Sequence, residues 1–130
     1  MEEKEKELKK IAFKECIRSL MPIRDAIDAL GGKWRLQILI AVARGNNRFT
    51  TIQKALEDIS PRILAKELKT LEEHKLLDRI VSSTYPVTVS YEWTAHTKSV
   101  EDLLHTLSDW GTKHREFLFK KKIKPLCDRE

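Results

Sequence analysis

Cysteine is nearly missing from this chain of 130 residues: Cys16 and Cys127 stand near its two ends. Two cysteines make no disulfide framework, so a reducing cytoplasm is the expected compartment. Long apolar runs are missing too. No stretch approaches the roughly 18 apolar residues of a membrane span. The first twenty residues carry lysines and glutamates throughout, with no apolar h-region of a secretory signal. Glycine numbers four, and no Gly-rich loop that could cradle a phosphate is present; the nearest candidates, Gly31-Gly32, sit at a helix end. His74, His96, His105 and His114 do not combine with cysteines or carboxylates at zinc spacing. Cys16 and Cys127 lie in terminal segments, away from any activating pocket. These gaps argue against an enzyme and imply neither a cofactor nor a metal. Charge is not lopsided either: 25 basic against 20 acidic side chains leave +5, which permits an anionic partner without demanding one.

What is present is a packed core's worth of apolar residues, 41%, and a well-charged remainder, 35%. The length suits one domain. The organising stretch is Ser60 to His74, S-P-R-I-L-A-K-E-L-K-T-L-E-E-H. Ser60 is a good N-cap, because its hydroxyl can accept a free N–H of the first turn. Pro61 follows where its missing N–H costs nothing. Leu64, Leu68 and Leu71 recur at helical spacing on one side, with Arg62, Lys66 and Lys69 on the other. Alone, this fits an ordinary surface helix with solvated lysines better than a reading helix. Its neighbours decide.

Before it, Thr50 to Leu56 reads as a short helix burying Ile52, Ala55 and Leu56, with Phe49-Thr50 as staple and cap. A short helix, a tight Glu57-Asp58-Ile59 connection and a second helix with a basic outer face fit a helix-turn-helix, whose second helix enters the DNA major groove. After it, Leu76 to Val81 and Val87 to Trp93 have strand character. In the second, Val87, Val89, Tyr91 and Trp93 share a face. Ser82 to Pro86 forms the loop between them, so the pair makes a β-hairpin wing.

Upstream, Lys33 to Arg44 is a helix that stops at Gly45. Leu8, Ile11, Cys16, Ile17 and Leu20 stripe a first helix over residues 1–21. Pro22 is expected to interrupt it before Ile23 to Leu30 resumes and Gly31-Gly32 ends it. Downstream, Thr94 reads as the cap of a long last helix carrying Val100, Leu103, Leu104, Leu107, Trp110, Phe117 and Leu118. Gly111 is a weak interior point in it, and Lys120 to Lys124 a frayed, solvated tail. The fold expected is mainly α with a small antiparallel β-hairpin: a winged helix-turn-helix over residues 22–111, a helical extension over 1–21 and a C-terminal helix end and tail over 112–130. The two terminal helices carry more apolar residues than such a core can cover, so they are expected to form a symmetric homodimer.

Pro22-Ile23, Ala26-Ile27-Asp28, Leu30-Gly31-Gly32-Lys33-Trp34, Arg48-Phe49, Ile59-Ser60-Pro61-Arg62-Ile63-Leu64, Leu76-Leu77-Asp78-Arg79, Tyr91, Thr94 and Asp109-Trp110-Gly111 together resemble the HxlR family. These are winged-helix regulators of bacteria and archaea related to the MarR group. The resemblance covers about Pro22 to Gly111, and GGKW followed by ISPR is its specific part. It implies homodimeric binding to double-stranded operator DNA and control of nearby genes, often in response to a small molecule or a redox signal. Three positions depart from the pattern. Met21 stands where many members have a cysteine, Thr88 where the wing has an arginine, and Thr97 where a glycine follows the Thr94 position. The last implies a local change at the start of the final helix.

The DNA-binding candidates are therefore Ser60, Pro61, Arg62, Lys66 and Lys69, with Lys33 and Arg48 as weaker phosphate contacts and Thr88 at the wing. Arg62 lies in the first turn, where its planar fork can hold guanine O6 and N7 together. Lys66 and Lys69 suit phosphates, as do the backbone N–H groups near Ser60. Trp34 and Trp110 read as core or dimer-contact residues. A small-molecule pocket between the core and the terminal helices fits the pattern, with no ligand indicated. The rival reading is a winged helix used only as a protein-binding scaffold, which would present a large apolar patch on the Ser60 helix.

Overall fold

The computed structural model describes residues 2–120. Five helices and one hairpin follow in the order α1 (Glu2–Leu30), α2 (Arg35–Ala43), α3 (Phe49–Leu56), α4 (Pro61–Glu73), β1 (Leu77–Val81), β2 (Val89–Trp93) and α5 (Val100–Phe119). A 3₁₀ turn, Ala95–Ser99, leads directly into α5. Among the described residues the sheet has two antiparallel strands, with Leu77 opposite Trp93, Arg79 opposite Tyr91 and Val81 opposite Val89. This is the winged helix-turn-helix architecture.

The core is the meeting of α2, α3, α4 and the hairpin. Ile38, Leu39, Ile52, Leu64, Leu68, Leu71 and Leu77 are completely enclosed there. Leu30 from the end of α1 and Val100 from the start of α5 close it at either side. The leucines of α4 meet this core because positions four and three apart stack along one helical face. The hairpin is fastened by polar bonds as well. The Trp93 indole N–H donates to the Leu39 carbonyl at 2.8 Å, and the Tyr91 backbone N–H donates to the Asn47 carbonyl at 2.8 Å.

Several local expectations change. Pro22 does not interrupt the first helix: α1 runs unbroken from Glu2 to Leu30 with Pro22 inside it. A proline removes one backbone donor, and here the segment is exposed along its whole length, so water can serve the freed carbonyl. The second helix begins at Arg35, two residues later than expected, with Trp34 at its N-cap. The cap of α3 is Arg48 and Thr50 lies inside the helix; the Arg48 backbone N–H donates to Thr51 Oγ1 at 3.2 Å. Ala55 is exposed, while Ile52 is buried and Leu56 partly so, because an eight-residue helix laid on a core hides only a narrow stripe. Val87 precedes β2 and is exposed, leaving Val89, Tyr91 and Trp93 as the inner residues of that strand.

Thr94 caps the 3₁₀ turn and not α5. Its hydroxyl donates to the Lys75 carbonyl and lies 3.0 Å from the Thr97 hydroxyl. Thr97 is wholly buried and donates to the Leu76 carbonyl. The two threonines thus latch the chain after β2 onto the start of β1, and α5 begins only at Val100. The glycine pair ends α1 as expected. A Cβ on Gly31 would lie 2.3 Å from the Ile27 carbonyl oxygen, and Gly32 has φ +93°, a region that a side chain disfavours. Within α5, Trp110 is exposed and stacks on His114 at 4.8 Å. The tail beyond Lys120, with Cys127, lies outside the described residues. No helix among the described residues is long and apolar enough to cross a membrane.

Candidate nucleic-acid interface

The site is built from the N-terminus of α4 upward. Ser60 is extended (φ −75°, ψ 152°) and its Oγ accepts from the Ile63 N–H at 3.2 Å. Pro61 occupies the first turn. With its entry fixed in this way, α4 advances about 100° per residue, and Arg62, Lys66 and Lys69 fall within an arc of about 60° along one side. All three are exposed, whereas Leu64, Leu68 and Leu71 on the far side are buried. The basic stripe therefore has no apolar side chain within it. Ile63, 42% exposed, stands on its flank. It is a surface residue beside Arg62 that the periodicity alone did not mark.

The other candidates occupy different settings. Arg48 is exposed at the start of α3, the first helix of the helix-turn-helix. Lys33 lies before α2 with its Nζ over the Trp34 ring, 4.8 Å from the centroid. Its charge thus rests on an aromatic face. Thr88 is half-buried at the foot of the wing, where its carbonyl accepts the Ser82 N–H at 2.8 Å. Between Arg79 and Glu92 the wing carries no charged residue. Its tip exposes Tyr85 almost completely.

Glu67, like Glu73, dilutes the basic charge of the α4 face when read from the sequence alone. Instead its Oε2 accepts from Arg35 Nε at 2.8 Å, with side-chain exposures of 19% and 21% for Glu67 and Arg35. The carboxylate is drawn off the stripe and neutralised. Arg35 also donates through Nη1 to the Asp28 carbonyl. The pairing itself left no local pattern in the sequence, since 32 positions separate the two residues.

A second feature belongs to the terminal helices. A groove of about 400 Å³, lined by Ile23, Ala26, Ile27, Leu36, Leu103 and Leu107 among others, runs between α1, the start of α2 and α5. Its walls are apolar throughout. Beyond it α1 continues with Phe13, Ile17 and Leu20 exposed, and α5 with Trp110 and Phe117. Of the residues of α1 only Leu30 is buried.

Comparison with known proteins places this architecture. An HTH-type transcriptional regulator from Methanothermobacter thermautotrophicus is 34% identical over 92 residues, 71% of this chain and 70% of its own length. The HTH-type transcriptional regulator YtcD of Bacillus subtilis is 29% identical over 92 residues, 71% of this chain and 73% of its own. The crystal structure of YtcD has a TM-score of 0.66, at 29% identity, over 72% of this chain and 96% of that one. The redox regulator HypR in its reduced form has a TM-score of 0.69 at 26% identity, over 77% and 99%. The relatives are transcriptional regulators and not enzymes. The model of the HxlR-like helix-turn-helix family matches residues 29–118, from the end of α1 through most of α5. This chain belongs to the HxlR-like helix-turn-helix family of transcriptional regulators.

Proposed function

We propose that the protein is a homodimer that binds double-stranded operator DNA sequence-specifically, with α4 in the major groove. The observation that carries this reading is the split of α4 into a buried leucine face and an exposed stripe of Arg62, Lys66 and Lys69, behind a Ser60-Pro61 start. Arg62, in the first turn, reads a guanine edge. Ile63 beside it suits a thymine methyl. Lys66 and Lys69 neutralise phosphates, aided by Arg48 and Lys33 on the neighbouring elements and by the free N–H groups behind Ser60. Thr88 brings no charge to the wing, so the wing contributes little to phosphate neutralisation.

Dimerisation rests on α1 and α5. An isolated helix in water is marginal unless a packed face supports it, and α1 buries one residue, Leu30, in its own protomer. A second copy covering Phe13, Ile17, Leu20, Trp110 and Phe117 supplies the missing face. We keep the division proposed from the sequence, an extension over 1–21, a DNA-binding unit over 22–111 and a terminal segment over 112–130, with its boundaries falling inside α1 and α5. The scaffold reading loses ground because the apolar surface lies on the terminal helices and not on α4.

Selection of bound sequences from random duplexes at two salt concentrations tests the proposal. The expected result is a palindrome with half-sites about one helical turn apart and weaker binding at the higher salt. No enrichment, with binding governed by salt alone, would return the scaffold reading to first place.

A further inference from the structure

The proposal in this section rests on the dimeric reading above and concerns how the two reading helices are held relative to the dimer contact. The last turn of a helix leaves carbonyls without intrahelical donors. In α1 the Ile27 carbonyl is taken by the Gly31 N–H. The Asp28 carbonyl is taken by Arg35, across the glycine turn. The last turn of α1 has no basic residue of its own, so Arg35 also supplies the positive charge that a helix C-terminus favours. The same guanidinium holds Glu67, in the middle of α4. Nε and Nη1 donate from different edges of one rigid plane, so a single side chain can grip two elements that approach from different directions.

Little else fixes the angle between α1 and the DNA-binding core. Leu30 and Ala29, at the extreme end of α1, reach the core cluster. The connection that follows, Gly31-Gly32, carries no side chain, and nothing lies within 4 Å of where a Gly32 Cβ would stand. The ion pair is about four-fifths enclosed on both sides, so solvent screens it less than a surface pair.

We propose that Arg35 is a positioning residue that couples the attitude of the dimer helix α1 to the reading helix α4, and so sets the spacing of half-sites that the dimer accepts. It touches no DNA in this role. It acts through Glu67 and through the carbonyl of Asp28. The core leucines of α4 do not depend on it, so its loss frees a pivot without dissolving the fold.

The test measures affinity of the full chain for a set of duplexes that share the selected half-sites and differ in their separation by single base pairs. Wild-type protein is expected to lose about tenfold or more on a shift of one base pair from the optimum, as a rigid two-headed reader should. Arg35→Met and, as the milder variant, Glu67→Gln are expected to bind the optimum within about threefold of wild type, yet to discriminate by less than about threefold between neighbouring spacings. Preference for the bases within a half-site stays unchanged. A merely structural role lowers the melting temperature and leaves the spacing profile intact. Variants that fold, dimerise and keep the wild-type spacing profile overturn the proposal alone. A wild-type chain that sediments as a monomer, or is indifferent to spacing, overturns the dimeric reading and this proposal with it.

Discussion

Arg62 and Lys69 share one side of α4, yet removing them should have different consequences. Under the proposed function the forked guanidinium in the first turn meets a base edge, so Arg62→Ala is expected to weaken operator binding by about 1–3 kcal/mol and to relax preference at one position. Equal losses on operator and on random DNA would contradict the base-reading role. Lys69→Ala removes one phosphate contact and is expected to lower the slope of log affinity against log salt by about one, similarly on any sequence. Ser60 acts on the helix itself. Ser60→Ala deletes the bond from the Ile63 N–H and is expected to cost about 0.5–2 kcal/mol of stability in thermal or urea unfolding.

At the scale of elements, the wing is held by a few identifiable bonds. Trp93→Phe keeps the ring against the core but removes the N–H that donates to Leu39. The expected loss is about 1 kcal/mol of folding stability, measured by denaturant melting followed through the helical circular dichroism signal. This scale is also where the sequence was most and least readable. The α4 helix announced itself because cap, proline and leucine spacing are all local signals that agree. The glycine end of α1 was legible for the same reason. Pro22 misled because a proline's local cost is decided by whether water can reach the freed carbonyl, which depends on burial and not on the residue. The latch of Thr94 and Thr97 onto Lys75 and Leu76 delays α5 to Val100. Its partners lie 19 and 21 positions away, beyond any periodicity. The Arg35–Glu67 bridge was invisible for the same reason, and Glu67 read alone looked like a solvated charge.

For the whole molecule, the apolar surface lies where the sequence put its surplus, on the two terminal helices. Ile27 and Leu107 both line the groove between α1 and α5, and both are exposed in the protomer. Under the dimeric reading they are covered by a second copy. Ile27→Asp or Leu107→Asp is then expected to shift sedimentation at micromolar concentration from a dimer to a monomer, and to reduce affinity for a palindromic site far more than for a single half-site. Unchanged mass in both variants would place the dimer contact elsewhere.

The single buried residue of α1 has a kinetic consequence. Under the dimeric reading, a helix of 29 residues with one buried residue of its own forms together with its contact to the second copy. In such a dimer, separating the subunits would mean unwinding both first helices, and exchange of subunits is expected to be as slow as partial unfolding, which mixing of two differently labelled populations would measure. Newly made chains would then pair with one another before they pair with old ones, and the population would retain its pairings between rounds of synthesis.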